Sequence, residues 1–389
     1  MHQIGQEVWI EPQAANGLKQ WLNNFSEVTV GLKLLIGAPP EGSVAISSLG
    51  LGDRLSVELF DTAWSPLTFL RLYPSQRKRL RCLIVRHRYL HFAIGGAWGD
   101  WGAVGALEAA KKGRKFSTWT DRVESEVMHQ DAMRTTGVRR IVRSLNARIA
   151  QWLERRVIRR SAVGLFHGMD TFETYRHFCS NPSLVHDIHL TRSDHIGPDR
   201  LIKKTSSSMF QPLEIIYAGR VHADKGPLDW IETLRIVDEA GIDFRARWFG
   251  TGPLEMESKA LVESAGMTGR IQFPGNITNR TELLEQLRSA HIMVFCHLTP
   301  ESPRCLIEAL ASGTPIIGYK SAYAGDLIYK NGGGMLSAMN PPALASVIIE
   351  IARDPSALRH MIDAAVRDGA QFNDGDVFAH RAALMKEYS

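Results

Sequence analysis

From residue 213 onward, apolar and polar positions alternate in a regular order of short apolar runs and helical periods. LEIIYAGR is a buried strand ending near Gly219, and PLDWIETLRIVDEAG is an amphipathic helix stopped by Gly241. FRARWFG, IQFPG, HIMVFC and TPIIGY read as further strands. LEMESKALVESAG, TELLEQLRSA, CLIEALASG, PALASVIIEIARD and ALRHMIDAAVRDGA read as helices between or after them. This βαβα order with short connections predicts a parallel sheet covered by helices on both faces.

The first half is less regular. VTVGLKLLIG and VAISSL have the apolar content of strands, and RCLIVRHRYLHFAIGG is expected to contain one or two more. GAVGALEAAKKG predicts a helix closed by Gly113, followed by strands at RKFSTW and AVGLFHG. IKKTSSSMFQP, around residues 200–212, is serine-rich and short of large apolar residues, as a linker would be. The division expected is an N-terminal domain over 1–205, a C-terminal domain over 206–371, and a helix over 372–389 returning to the first domain.

A chain of 389 residues, 44% hydrophobic and 22% charged, has the bulk and composition of two globular domains. MHQIGQEVWIEPQ lacks the basic start and apolar run of a leader, and no stretch reaches the length of a membrane span. Cys82, Cys179, Cys296 and Cys305 are scattered without metal-ligand spacing, so free thiols and a cytoplasmic location are expected. Charge is uneven: residues 1–200 hold 27 Lys/Arg against 19 Asp/Glu, whereas the formal net charge of the whole is only +5. VRRIVRSLNARIAQWLERRVIRR has helical apolar spacing. Its arginines suit a solvated face of a packed helix, or else an anionic membrane surface or phosphate-bearing acceptor. Nucleic acid fits less well, because aromatic residues do not interleave with the basic ones in a stacking pattern and no recognised binding motif appears.

In an open α/β sheet, ligands collect beyond the carboxyl ends of the strands. GRVHADKG puts Gly219, Arg220 and Lys225 at such an end, just before a helix, where two cations suit a diphosphate. They could equally be exposed loop charges. Gly250, Thr251 and Gly252 form a GxG turn that lets backbone approach a ligand, or simply a tight turn; the full dinucleotide fingerprint is missing. Glu301 and Glu308 lie about two helical turns apart, and carboxylates so placed can accept hydrogen bonds from sugar or ribose hydroxyls. Glu308 sits among Leu306, Ile307 and Ala309, where an acid needs a partner. Ala324 and Gly325 could offer backbone N–H groups to a phosphate or sugar.

GR…KG, FGTGPLE and E…LIEALASGTPIIG, in this order, resemble the donor half of retaining GT-B glycosyltransferases of the sucrose-synthase-like and glycogen-synthase-like group, the glycosyl transferase group 1 family. The likeness is strong over about 213–340 and loose over 1–205. It implies two Rossmann-like domains facing each other across a deep cleft. A nucleoside-diphosphate sugar, UDP- or GDP-linked, would serve as donor, with no metal required. Arg220 and Lys225 would hold the diphosphate, and Glu308 the ribose. Glu301 would face the sugar, helped by the backbone of Arg304, Cys305 and Leu306. The FGTGP loop would lie near the nucleotide, and Ala324 and Gly325 near the phosphates or sugar. Two departures stand out: six residues separate Glu301 from Glu308 where the family has seven, and SPR replaces a small–aromatic–small run.

The acceptor is expected on the N-terminal domain. Gly96, Trp98, Asp100 and Trp101 crowd a strand-to-helix turn there, and the tryptophans either stack on an acceptor or fill the core. Trp119 and Asp121 stand where the family often carries a histidine, and Asp121 is a candidate for orienting the acceptor hydroxyl. His167 and Asp170 end another strand, and His186 and His189 follow; such histidines are catalytic or simply structural. The rivals to a transferase are a nucleotide-sugar epimerase of the same fold and a non-catalytic nucleotide-sugar-binding protein.

Overall fold

A computed structural model describes residues 1–5, 7–206 and 212–389. The chain divides into two compact units, one of residues 1–189 with 374–389 and one of residues 190–373.

The first α-helix of the second unit is α7 (Pro198–Thr205). The first unit begins with β1 (His2–Ile4), β2 (Glu7–Ile10), α1 (Pro12–Asn24), β3 (Val28–Leu34), β4 (Val44–Ala45) and β5 (Leu55–Asp61). There follow α2 (Pro66–Arg86), β6 (His91–Ala93), α3 (Trp101–Lys111), β7 (Ser117–Thr120), α4 (Glu124–Met133) and α5 (Gly137–Ile158). The last before the crossing are β8 (Val163–His167), α6 (Gly168–Tyr175) and β9 (Pro182–Val185). β6, β7, β8 and β9 form a parallel sheet in that order, β3 pairs with β5 in parallel, and β1, β2 and β4 make a small antiparallel sheet.

Two expected strand stretches are only partly strand. RCLIVRHRYLHFAIGG holds one strand, β6, and its first residues, up to Arg86, are the end of α2. The run CLIV belongs to the helix: Leu80 and Ile84, four residues apart, are buried and Leu83 packs against the core, whereas Val85 is 65% exposed. Ser65 caps the start of α2, its hydroxyl accepting the Thr68 N–H at 3.2 Å. VAISSL is strand only at Val44–Ala45 and then tightens into a 3-10 turn, Ile46–Leu49.

In the second unit, α7 takes up the first part of the expected linker, and residues 207–211 lie outside the described residues. The elements then alternate: β10 (Leu213–Ala218), α8 (Pro227–Glu239), β11 (Phe244–Phe249), α9 (Glu255–Ser264), β12 (Ile271–Gly275) and α10 (Arg280–Ser289). β13 (Ile292–Phe295), α11 (Arg304–Ala311), β14 (Ile316–Tyr319), α12 (Ala322–Ile328), β15 (Gly334–Ser337), α13 (Pro341–Arg353) and α14 (Pro355–Gly369) complete it. The six strands are parallel, in the order β12-β11-β10-β13-β14-β15. β13 and β14 are buried throughout, which is why they read as unbroken apolar runs. The order reverses between β10 and β13, and that switch point is where a doubly wound sheet receives its ligand.

α15 (Asp374–Tyr388) belongs to the first unit. Phe378 meets Trp21 edge-on at 5.2 Å, and the buried Arg381 donates to Asp187 Oδ1 at 2.9 Å.

Candidate functional site

At the switch point of the second unit, the chain leaving β10 runs through Gly219 and Arg220 into a single 3-10 turn, Ala223–Lys225. Gly226 ends the turn at φ 61°, and a Cβ there would lie 2.3 Å from the Cys296 carbonyl oxygen. Only glycine lets the loop after β10 touch the loop after β13 so closely. The Leu298 N–H donates to Asp224 O at 2.9 Å and locks the two loops together. Lys225 Nζ consequently donates to Glu301 Oε1 at 2.6 Å, with both side chains mostly buried.

Behind this pair stands a residue the sequence did not single out. His297 Nε2 lies 2.7 Å from the Tyr217 hydroxyl, and its Nδ1 is 3.9 Å from Glu301 Oε1. Burial, reinforced by the Lys225 charge, pushes the His297 pKa well down and keeps the ring neutral. Tyr217, His297, Glu301 and Lys225 thus form one buried polar row along the edge of β10 and β13.

Arg220 is exposed and has no hydrogen bond or ion pair among the described residues. Its backbone is nevertheless fixed. Gly219 N–H donates to Phe249 O, Val221 N–H to Thr251 O, and Leu254 N–H to Val221 O, at 2.9, 3.0 and 3.1 Å. A Cβ on Gly250 would lie 2.0 Å from Gly219 O, and one on Gly252 would lie 2.3 Å from Val221 O. The GxG pair therefore serves close packing of two strand ends, and Thr251 between them is exposed.

Glu308 is buried in α11, and its Oε1 accepts from Arg280 Nη1 at 3.1 Å. Arg280 supplies the partner that a buried acid requires. It retains two further buried nitrogens, Nε and Nη2, without a hydrogen-bond partner among the described residues. Asn279, whose side chain accepts the Glu282 N–H at 3.2 Å, marks the helix start in the sequence. Nothing local indicates that Arg280 reaches across to α11.

The structure corrects the backbone donors expected nearby. Ala324 N–H donates to Ser321 Oγ and Gly325 N–H to Ser321 O, both at 3.1 Å, because Ser321 caps α12. Both amides are occupied inside the helix. Leu306 is buried and its N–H donates to Pro303 O at 3.2 Å, so its amide too is occupied. Burial pushes the Cys305 thiol up to about 12, which makes it a neutral wall.

In the first unit, the expected acceptor residues lie at or just past the carboxyl ends of β6, β7 and β8. Two of them do structural work instead. Asp100 caps α3: Oδ1 accepts from Ala103 N–H at 2.9 Å and Oδ2 from Gly95 N–H at 2.8 Å. Trp101 is 3% exposed, stacks on Phe69 at 5.3 Å and donates to Asp61 O at 2.7 Å, so it belongs to the core. Gly96 (φ 116°) has open space around it, and Trp98 is half-buried, donating to Asn146 Oδ1 at 3.1 Å. Asp121 is exposed just past β7. Trp119 lies parallel to His167 at 5.6 Å, with the Arg381 guanidinium 3.8 Å from its ring centre. Burial lowers the pKa of His167 and brings that of His186 down to about 3, so both rings are neutral.

Among the described residues, no group of three or more His, Cys, Asp or Glu side chains is placed to hold a metal ion, and no helix is long and apolar enough to cross a membrane. Residues 201–368 match the family model for glycosyl transferases group 1. The chain is 26% identical over 201 residues to a 2-deoxystreptamine glucosyltransferase of Streptomyces kanamyceticus, covering 49% of this chain and 51% of that one. It thus spans about half the length of the curated relatives it matches. In structure it is similar to the Anabaena protein HepE in complex with UDP, with a TM-score of 0.69 and 15% identity over 100% of this chain and 98% of that one. Sucrose-phosphate synthase from Thermosynechococcus elongatus gives a TM-score of 0.62 at 15% identity, over 92% and 98% of the two chains. The likeness shows the fold, GT-B, with two Rossmann-like units.

Proposed function

On the match of residues 201–368 to the family model for glycosyl transferases group 1, we propose that the chain is a retaining GT-B glycosyltransferase. It moves a sugar from a nucleoside-diphosphate sugar to an acceptor hydroxyl of a glycan, glycolipid or small metabolite. The observation that carries this reading is the 2.6 Å contact between Lys225 and Glu301 at the switch point of the second sheet. It brings a cation and a carboxylate, the two groups a sugar diphosphate needs, to the place where such a sheet binds ligands.

Breaking the glycosyl–phosphate bond leaves growing negative charge on the diphosphate. Cations already fixed there stabilise the transition state more than the ground state. Lys225, pinned by Glu301, is preorganised for this role, and Arg220 offers an uncommitted guanidinium fork. Glu301 keeps a second carboxylate oxygen for the sugar hydroxyls, and Glu308, steadied by Arg280, suits the ribose. With two cations in place, the diphosphate leaves without a metal. The uridine form of the donor is supported by the related Anabaena protein, which was solved with UDP. The acceptor belongs to the first unit, near Gly96, Trp98, Trp119, Asp121 and His167. The basic helices of that unit make peripheral contact with an anionic membrane, at its inner face, part of the same proposal.

Titration with UDP and GDP by calorimetry, followed by assay of a UDP- and GDP-sugar panel for nucleoside diphosphate release, tests it. Binding of one diphosphate, with release matched to glycosylated product, is expected. Absence of binding to both at millimolar ligand would end the proposal, and interconversion of the donor sugar without release would turn it to epimerisation.

A further inference from the structure

The arginines of the first unit are not all alike. On α2, Arg77 and Arg81 pair with the buried Glu108 at 2.8 and 2.6 Å, and Arg79 with Glu58 at 2.8 Å. On α5, Arg155 packs over Phe178 at 4.8 Å and Arg156 over Trp152 at 5.1 Å. Between Asp131 and Glu154, however, the sequence has no acidic residue, and Arg139, Arg143 and Arg148 are exposed without an ion pair among the described residues.

The apolar positions of α5 are equally unusual. Val138, Ile141, Val142 and Leu145 are 75%, 69%, 51% and 57% exposed, and Trp152 is 58% exposed. Spaced i, i+3, i+4 and i+7, they lie on one stripe of the helix. At about 100° per residue, Arg139 and Arg148 flank that stripe on opposite sides. The helix buries its other end instead: Ala147, Ala150, Glu154, Val157 and Ile158 anchor it to the unit. A second exposed apolar group opens α2, where Leu67 and Leu70 are 81% and 64% exposed. Phe69 contacts Trp98 at 5.8 Å and Trp98 bonds to Asn146 of α5, so the two groups are joined.

We propose that the apolar stripe of α5, continued by the start of α2, is the surface by which the first unit docks on an anionic phospholipid bilayer. Exposed side chains of this size leave water when they sink into the acyl boundary, and the flanking guanidinium groups stay at headgroup level. A bilayer is favoured over a protein partner by the charge. From Gly137 to Leu153, nearly five helical turns, α5 carries arginines and no acidic residue, which matches a uniformly anionic surface rather than a protein's mixed one. This deepens the membrane part of the proposal above and is independent of which sugar is transferred.

Co-sedimentation of the full chain with vesicles of phosphatidylcholine alone, and of phosphatidylcholine mixed with phosphatidylglycerol, tests it. The protein is expected to sediment with the mixed vesicles only, to be released by salt, and to shift its tryptophan emission to the blue. I141Q/V142Q/L145Q and R139Q/R143Q/R148Q are each expected to weaken vesicle binding by at least about tenfold. Melting temperature and UDP binding should stay unchanged in both, since every altered residue is exposed; a failure of UDP binding in the unaltered protein would count against the transferase reading alone. The docking proposal is overturned if the unaltered protein stays in the supernatant with mixed vesicles, or if either variant binds them as well as it does. It is also overturned if the stripe instead holds two copies together, seen as a dimer in sedimentation velocity that I141Q/V142Q/L145Q dissolves.

Discussion

Lys225 and Glu301, 76 positions apart in the chain, meet at 2.6 Å because the loops after β10 and β13 are in backbone contact through Gly226. The pair is both structural and chemical, and a double substitution separates the two. K225M is expected to lower nucleoside diphosphate release by on the order of a hundredfold or more. It should also cost about 1–3 kcal/mol of stability, because Glu301 is left buried without its partner. K225M/E301Q should regain most of that stability and none of the turnover. Thermal melts beside a release assay check this, and recovery of turnover in the double variant would contradict the assignment.

Arg220 makes the opposite case. Its side chain is exposed and has no hydrogen bond or ion pair among the described residues, so R220A is expected to change stability by less than about 0.5 kcal/mol. Calorimetry should nevertheless show at least about tenfold weaker binding of the nucleoside diphosphate, the loss of a charge-assisted contact. Equal affinity in the two proteins would remove Arg220 from the site.

Glycine at 252 is required by contact, not by conformational freedom. A G252A methyl would lie 2.3 Å from Val221 O, a backbone atom that cannot step aside. The variant is expected to lose about 3 kcal/mol or more and to bind donor poorly, since the loop carrying Arg220 must shift. Urea denaturation measures the first effect. A stable protein with normal affinity would mean that the two strand ends are not packed as described.

Glu154 ties α5 to its neighbours, accepting from the Ser125 N–H and hydroxyl at 3.1 and 2.7 Å and from Tyr175 at 3.0 Å. Burial outweighs these bonds and raises its pKa from 4.5 to about 7. The folded protein therefore holds a proton that the unfolded chain has already lost between these values. The stabilising contribution is complete below pH 4.5 and disappears as pH rises through about 7. E154Q, which mimics the protonated acid, should be more stable than the parent by roughly 1–3 kcal/mol at pH 8, with the gain shrinking below pH 5. Melting curves across that range decide it, and a gain independent of pH would mean that Glu154 is ionised in the fold.

The second unit was legible because a parallel sheet buried on both faces writes each strand as an apolar run and each crossover as a 3.6-residue period. Arg220, Lys225, Glu301 and Glu308 could be picked out as polar residues at strand ends. Arg280 and His297 could not, because their contacts depend on which strands are neighbours, and β10 beside β13 is no local property. In the first unit, Asp100 carries a signal that was available: an acid three residues before Ala103 at a helix start is a cap. The tryptophan beside it drew attention toward ligand binding, although Trp101 lies in the core. The end of α2 and the start of β6 are hard to separate in sequence, because an apolar tetrad such as CLIV can lie across a helix as well as along a strand.

The second unit is an insertion in the first, entered after His189 and left before Asp374. During synthesis residues 190–373 therefore emerge whole while the earlier unit still waits for α15. Arg381 and Phe378, which close over Asp187 and Trp21, are made after every strand of the inserted sheet. The order of birth is thus inverted with respect to the order of the chain: the inserted unit is free to fold first, and the unit begun at residue 1 is finished last.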